Sequence, residues 1–194
     1  IDAHVHFNDP GFTDREDFTT GTTAAACGGI TTIIDMPCTS LPAVTNKENL
    51  NTKLAVIEPK AIIDFALWGG LRKNDLPFDE EMINTLWESG VVGIKIYTIS
   101  SMETFAALSY KDIKEAFNKF PGILFAFHAE DEDVINNSVN KINKEQRKLP
   151  ESYVKTRPVE AEEIAVKNIL SSLNTESKVH FVHISSKNAS KIIL

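Results

Sequence analysis

Runs of apolar and β-branched residues recur along the chain, and stretches with helical character separate them. Six such runs are found, at residues 1–7, 30–36, 61–68, 91–99, 123–128 and 178–184. Their starts lie about 30 residues apart, except before the last run, and strands that alternate with helices at this spacing are typical of βαβ units in a parallel sheet. The runs are rich in Ile, Val and Phe, as expected for strands that are buried on both faces.

Helices are predicted between these runs, at residues 19–27, 79–88, 111–119 and 158–173. The first three end close to a glycine, which is a common helix stop, and the fourth begins at a proline and carries glutamates in its first turns. The longer fifth interval contains residues 130–148, which are dense in Asn, Lys and Glu. A solvated helix and a surface insertion are predicted there, and no chemistry is assigned to them.

Six βα units in 194 residues predict an α/β fold that forms part of a (β/α)8 TIM barrel. A complete barrel needs roughly 250 residues, so residues 1–194 are expected to hold about six of the eight βα units, with strands 1 to 6. The alternative is a complete open doubly wound sheet, which normally carries a glycine-rich phosphate loop after its first strand. His4-Val5-His6 occupies that place instead and favours the barrel.

Charge and composition narrow the class of partner. The net charge is −7, and 42% hydrophobic with 24% charged residues is ordinary for a globular domain. Nucleic acids and anionic membranes select basic surfaces, so we expect neither as a partner.

Cys27 and Cys38 form no CxxC pair and no signal peptide is recognisable, which predicts a cytoplasmic location. The chain begins inside a predicted strand, so we expect a longer gene product.

Four of the five histidines stand at the ends of predicted strands. His4 and His6 lie two residues apart on the first strand, so both side chains point to one side and are able to bind one divalent metal. A hydrogen-bonded structural pair is the alternative. His128 and His183 close the fifth and sixth strands, at the rim where a barrel places its active site. His180 is predicted to point outward and to be structural.

Lys95 lies within one of the most apolar runs, Val91-Val92-Gly93-Ile94-Lys95-Ile96-Tyr97. A buried ammonium is costly to desolvate, so burial lowers its pKa and leaves a neutral amine that is able to react. The functional interpretation is a carbamate formed with carbon dioxide, an anion whose two oxygens suit a pair of cations. The alternative is an outward lysine on an amphipathic strand.

The sequence resembles the cyclic-amide branch of the amidohydrolase superfamily, which contains dihydroorotases, allantoinases and hydantoinases. The resemblance is carried by motifs that cover nearly the whole chain in order: HVHFNDPG (4–11), AAACGGITT (24–32), DMP (35–37), GIK (93–95), HAE (128–130), Thr156-Arg157-Pro158 and VHISS (182–186). It implies a TIM-barrel hydrolase of the metal-dependent type.

The resemblance also implies a centre of two divalent metal ions, usually zinc. His4 and His6 would bind the more buried ion and His128 and His183 the other. Carboxylated Lys95 would bridge them together with a hydroxide, and this hydroxide would attack a ring amide carbonyl. In this family an Asp at the end of the eighth strand transfers the proton, and it has no counterpart here. The family's small β-sandwich domain and strands 7 and 8 would be absent too, so a polypeptide limited to these residues is expected to be inactive.

Two departures from dihydroorotases bear on the substrate. Those enzymes usually carry Arg two residues after the second His, where it pairs with a substrate carboxylate, and Asn directly after Met-Pro. This chain has Asn8 and Cys38 at those places. We therefore expect Asn8 and Cys38 to be substrate-binding positions and the substrate to be a small cyclic ureide opened in an allantoinase-like reaction. Dihydroorotase, and then hydantoinase, are the alternatives.

Other classes of function stay open at this point. A non-catalytic barrel relative that serves as a scaffold is disfavoured because all the expected ligands are present. A nucleotide-dependent redox enzyme is disfavoured because no glycine-rich turn follows the first strand. The full-length protein is expected to be a homo-oligomer, a dimer or a tetramer.

Overall fold

The computed structural model describes all residues, 1–194, and a curved parallel sheet forms its centre. In chain order the strands are β1 (Asp2–Val5), β2 (Thr32–Asp35), β3 (Asp64–Leu67), β4 (Gly69–Gly70), β5 (Ile94–Tyr97), β6 (Leu124–His128) and β7 (Lys178–Phe181). They form two parallel ladders, β1-β2-β3 and β4-β5-β6-β7, in sequence order. All carboxyl ends of the strands therefore lie on one edge of the sheet.

Trp68 separates β3 from β4 without interrupting the sheet. Its backbone N–H donates to the Asp35 carbonyl at 2.9 Å, and the N–H of Gly69 donates to the Gly93 carbonyl at 2.9 Å. The two short strands are thus one strand position that changes partner, and the six predicted strands are confirmed in order. A Cβ at Gly93 would lie 2.5 Å from the Trp68 ring and 2.7 Å from the Leu124 carbonyl oxygen, so only glycine fits there.

Eight α-helices follow the strands. They are α1 (Phe18–Cys27), α2 (Lys47–Ile57), α3 (Glu80–Glu88), α4 (Tyr110–Lys119), α5 (Glu132–Asn140), α6 (Pro150–Thr156), α7 (Val159–Ser171) and α8 (Lys187–Ile193). The predicted helices correspond to α1, α3, α4 and α7, with ends that differ by one or two residues. The predicted solvated helix is α5, and the insertion after it continues into α6. None of these helices has both the length and the apolar character needed to cross a lipid bilayer.

Helices α2 and α8 were not predicted. The side chain of Asn46 caps α2 by accepting the N–H of Asn49 at 2.8 Å. Leu50, Leu54 and Ile57 recur at i, i+4 and i+7 on this helix, so the pattern was present in the sequence but was not used, and Lys53 occupies a further buried position. Helix α8 is short, and the Ser186 hydroxyl caps it by accepting the N–H of Ala189 at 3.2 Å.

Apolar side chains cover both faces of the sheet. The larger core, with 27 buried residues, lies between the sheet and the helices and includes Phe18, Ile33 and Phe125. The inner core contains seven buried residues: Met36, Cys38, Ala43, Trp68, Phe105, Ala126 and Val182. Strands covered on both faces explain the continuous Ile, Val and Phe runs of the sequence.

A buried ion pair ties the carboxyl ends of β1 and β2 to α2. The Lys53 ammonium donates to Asp35 Oδ2 at 2.6 Å and to the Ser40 hydroxyl at 2.5 Å. Both charged side chains are at most 1% exposed. The other carboxylate oxygen, Asp35 Oδ1, accepts the backbone N–H of Phe7 at 2.7 Å. Neither charge is stable without the other in this place, so the pair fixes residue 7 relative to β2.

Replacing Lys53 with methionine is expected to destabilise the protein by about 3–5 kcal/mol, because Asp35 then stays buried without its partner. Urea denaturation of the protein made from its complete gene measures this loss. Lys119→Met is the matched control, since the Lys119 side chain is 31% exposed and its ammonium lies 3.5 Å from Glu80 and from Glu115. A loss below about 1 kcal/mol is expected there. Equal losses in the two variants would contradict the structural role of the buried pair.

Candidate metal centre

The carboxyl edge of the sheet brings four histidines and one lysine together. His4 lies on β1 and His6 just after it, Lys95 lies on β5, His128 ends β6, and His183 follows β7. The ring centroids of His4 and His183 are 5.2 Å apart, and those of His128 and His183 are 4.9 Å apart. Residues from distant parts of the sequence therefore meet where βα barrels place their active sites.

His4 and His6 form the first histidine pair. Their side chains point to the same side, as predicted, and their Nε2 atoms are 3.1 Å apart. Burial, reinforced by the nearby charge of Lys95, lowers the pKa of His4 to about 3 and that of His6 to about 4. Both imidazoles are consequently neutral near pH 7, and each keeps a nitrogen lone pair that is able to bind a metal.

His128 and His183 form the second pair, with His128 Nδ1 lying 3.1 Å from His183 Nε2. His183 has a φ of +41°, in the left-handed region that residues other than glycine rarely adopt. The segment after it is held by Glu162 of α7, whose carboxylate accepts the backbone N–H of Ser185 at 3.0 Å and that of Ser186 at 2.6 Å. Burial and then the charge of His128 lower the pKa of His183.

His180 is exposed, but it lies on the inner face of the sheet, whereas the sequence predicted the outer face. Its ring stacks on Trp68, with centroids 6.4 Å apart and an angle of 11° between the planes. Its strand position pairs with Ala126 of the inner core, whereas the next residue, Phe181, packs against the outer core. Counting back from His183 by alternation fails because the backbone leaves the extended conformation at that residue.

Lys95 is the one charged side chain of its strand, and the prediction that it is buried is confirmed. It has 0% exposure, and its Nζ has no hydrogen-bond partner. Nζ lies 5.0 Å from the centroid of the Tyr97 ring. Desolvation lowers the pKa of Lys95 to about 7, so a large share of the amine is neutral near pH 7. A neutral, unpartnered amine here is a nucleophile shielded from water.

These side chains fit a site for divalent metals. Two nitrogens bound to one tetrahedral zinc ion lie roughly 3.3–3.4 Å apart, given Zn–N bonds of about 2.0–2.1 Å. The separation in each histidine pair is 3.1 Å. No three His, Cys, Asp or Glu side chains converge on one point, so each pair lacks a further anionic ligand. Lys95 lies close enough for its charge to act on both pairs.

The two predicted substrate-binding residues both contact the His6 segment. Asn8 has a φ of +35°, and its side-chain amide donates to the His6 carbonyl at 3.1 Å. Cys38 is 1% exposed, and its Sγ lies 3.5 Å from His6 Nδ1 and 3.2 Å from the Tyr97 hydroxyl. Burial raises the pKa of the Cys38 thiol. Contact of either residue with a substrate stays a prediction.

Three neighbours of His128 were not predicted as site residues. Tyr97 stacks on the His128 ring with centroids 5.2 Å apart. Glu130 Oε2 lies 2.8 Å from His128 Nε2 and 2.6 Å from Arg157 Nη1. Burial alone would raise the pKa of Glu130, but the hydrogen bond with His128 and the charge of Arg157 outweigh burial and lower it. Glu130 and Arg157 both occur in the motifs of the sequence, but spacing does not show that they meet.

A cavity of about 480 Å³ opens beside the second pair, within the usual range of small-molecule sites. Polar and apolar side chains line it, and the polar and aromatic ones include Tyr97, Ser100, His128, Glu130, Tyr153 and Arg157. A smaller cavity of about 230 Å³ lies next to His128, Glu162 and His183. A ligand in the larger cavity would reach the His128 side of the centre.

Residues 1–190 match the amidohydrolase family. The chain is 37% identical over 199 residues to the allantoinase of Streptomyces avermitilis, and 35% identical over 190 residues to that of Deinococcus radiodurans. It is 33% identical over 202 residues to the dihydroorotase of Methanothermobacter thermautotrophicus. These alignments cover 100%, 96% and 100% of the chain, and 42% of each relative. The chain thus spans about two-fifths of the length of these relatives.

Solved structures show the same fold. An L-hydantoinase (dihydropyrimidinase) from Arthrobacter aurescens superimposes with a TM-score of 0.88 at 28% identity, over 99% of this chain and 43% of that chain. A D-hydantoinase from Bacillus sp. AR9 gives a TM-score of 0.80 at 28% identity, and the match covers 99% of this chain and 43% of that chain. The predicted fold class, βα units of an amidohydrolase TIM barrel, is confirmed. Sequence and structure agree on one assignment: this chain belongs to the amidohydrolase family.

Proposed function

We propose that the protein hydrolyses an amide bond of a cyclic ureide, with allantoin favoured, at a centre for two divalent metal ions. Two histidine pairs and an unpartnered buried lysine at one edge of the sheet carry this proposal. His4 and His6 would hold one ion, and His128 and His183 the other. When bound, such ions polarise a carbonyl oxygen and lower the pKa of water.

Lys95 is proposed to react with carbon dioxide. Its neutral amine attacks the carbon atom, a C–N bond forms, one C–O π bond opens, and the N–H proton leaves to solvent. The product is a carbamate anion with two oxygens, which would give each histidine pair its missing ligand. Support comes from the pKa of Lys95, lowered by desolvation to about 7, and from the lack of any hydrogen-bond partner for Nζ.

The substrate is proposed to be a neutral ring. Asn8 carries no charge and is bonded to the His6 carbonyl, whereas an arginine there would favour a substrate carboxylate. Relatives named allantoinase at 35% and 37% identity support this choice. A relative named dihydroorotase, at 33% identity, supports dihydroorotate as the alternative substrate. Hydantoins are the third candidate substrate, supported by the similarity to solved hydantoinase structures.

The remaining proposals concern the whole protein. We propose zinc as the metal, a cytoplasmic location and a dimer or tetramer, with neither nucleic acid nor membrane as a partner. Further βα units and a small β-sandwich are proposed to lie outside residues 1–194, since the curated relatives are more than twice as long. The proton-transferring aspartate of the family is proposed to lie there as well.

The function is tested with protein made from its complete gene and purified in the presence of zinc. Allantoin, dihydroorotate and hydantoin are supplied separately, and metal content is measured by mass spectrometry. We expect two ions per chain and the highest kcat/KM with allantoin. A higher kcat/KM with dihydroorotate than with allantoin would show that the protein acts as a dihydroorotase. Metal-loaded protein that opens none of the three rings would overturn the proposal.

Lys95→Ala is expected to remove at least one of the two ions and to lower kcat by about 100-fold or more, because several kcal/mol of transition-state stabilisation depend on the metals. Metal analysis and steady-state kinetics measure the two effects. Lys111→Ala, an exposed lysine on α4, is the matched control and should behave as wild type. Retention of both metals and activity in Lys95→Ala would contradict the role given to this lysine.

Asn8→Arg is expected to raise kcat/KM for dihydroorotate relative to allantoin by about 10-fold, because a hydrogen bond between charged partners contributes about 1.5–3 kcal/mol. Asn8→Gln, which keeps a neutral amide, is the control and should leave the ratio near its wild-type value. Competition between the two substrates gives the ratio directly. A ratio that does not change in Asn8→Arg would show that this position does not face the ring.

A further inference from the structure

The two ring nitrogens of His128 have different neighbours. Nδ1 lies 3.1 Å from Nε2 of His183, and Nε2 lies 2.8 Å from Glu130 Oε2. An ionised carboxylate accepts hydrogen bonds and does not donate them, so Nε2 carries the hydrogen and Nδ1 keeps its lone pair. That lone pair is on the side of the ring that faces His183.

Glu130 is itself held from two sides. Arg157 Nη1 donates to the same carboxylate oxygen at 2.6 Å. Thr98 forms hydrogen bonds with the Glu130 backbone. Its Oγ1 accepts the Glu130 N–H at 3.0 Å and lies 2.8 Å from the Glu130 carbonyl oxygen. The side chains of Glu130 and Arg157 are 21% and 35% exposed. Their contact therefore contributes little to overall stability, and its effect is local.

We propose that Glu130 and Arg157 are positioning residues for His128. Glu130 fixes the tautomer and the direction of the ring, and Arg157 holds the Glu130 carboxylate in place. The inference rests on the proposed function, because the direction of the His128 ring matters chiefly when Nδ1 binds a metal. Carboxylates bonded to metal-binding histidines orient the ring and increase its basicity, and their loss weakens metal binding by about 10- to 100-fold.

A direct contact between Arg157 and the substrate is the rival interpretation. Arg157 borders the cavity of about 480 Å³, and its guanidinium carbon lies 5.9 Å from the centroid of the Tyr153 ring, which also borders it. The contact with Glu130 favours the positioning role, since it occupies a guanidinium nitrogen at 2.6 Å. The two interpretations differ in what Arg157 does once Glu130 is removed.

The test for Glu130 is a Co²⁺ titration of the metal-free protein, made from its complete gene, against a chelating dye at constant pH. Glu130→Ala should lower the affinity for one of the two Co²⁺ ions by about 10- to 100-fold. The affinity for the other ion and the melting temperature of the metal-free protein should not change. Glu130→Gln should lose less Co²⁺ affinity, because the amide oxygen of glutamine still accepts the hydrogen on His128 Nε2. Glu145→Gln and Arg147→Met, exposed residues of the insertion, are the matched controls.

Arg157 is tested in the same titration. Arg157→Met should lower the affinity for the same ion, and Arg157→Lys should lower it less. If Arg157 acts through Glu130, the double variant Glu130→Ala/Arg157→Met binds no more weakly than Glu130→Ala alone. A rise in the substrate KM when Arg157→Met is added to Glu130→Ala would instead show direct substrate contact and overturn its positioning role.

Unchanged Co²⁺ affinity in Glu130→Ala, while the wild type binds two ions, would overturn the inference and leave the proposed function intact. A wild-type protein that binds no Co²⁺ would overturn the proposed function itself. The two failures are therefore distinguishable in one experiment.

Discussion

The ion pair of Asp35 and Lys53 fixes the chain segment that carries the first histidine pair of the candidate metal centre. Asp35 ends β2, and its carboxylate binds both the ammonium from α2 and the backbone N–H of Phe7, the residue directly after His6. Separating these groups would leave a charge in the protein interior, which is far more costly than separating apolar side chains. The position of the first histidine pair is therefore set by electrostatics in addition to packing.

The sequence predicted the fold wherever a pattern was continuous. Six apolar runs predicted six strand positions because both faces of each strand are buried. The break at Trp68 could not be predicted, since the change of partner depends on close contact with the backbone near Gly93, a residue distant in sequence. Helix α2 was missed although Leu50, Leu54 and Ile57 have helical spacing, whereas the burial of Lys53 on it could not be predicted, because its partner Asp35 lies on another element.

The candidate site was predictable in its local parts. His4 and His6 follow strand alternation, and Lys95 stands out as one charge in an apolar strand. The same alternation gave the wrong side for His180, because the left-handed backbone at His183 ends the strand period. The contact of Glu130 with Arg157 joins residues that only the packing of the α6–α7 junction brings together, so no spacing rule could reveal it.

Helix α7 contacts the supports of both histidines in the second pair. Arg157, at the junction between α6 and α7, binds the carboxylate that faces His128, and Glu162 in the first turn of α7 holds the backbone after His183. The two histidine pairs are thus anchored to different helices. Helix α2, through Lys53 and Asp35, holds the residue after His6, and the start of α7 holds the residues beside His128 and after His183. A displacement of one helix relative to the other would therefore act on the gap between the two pairs.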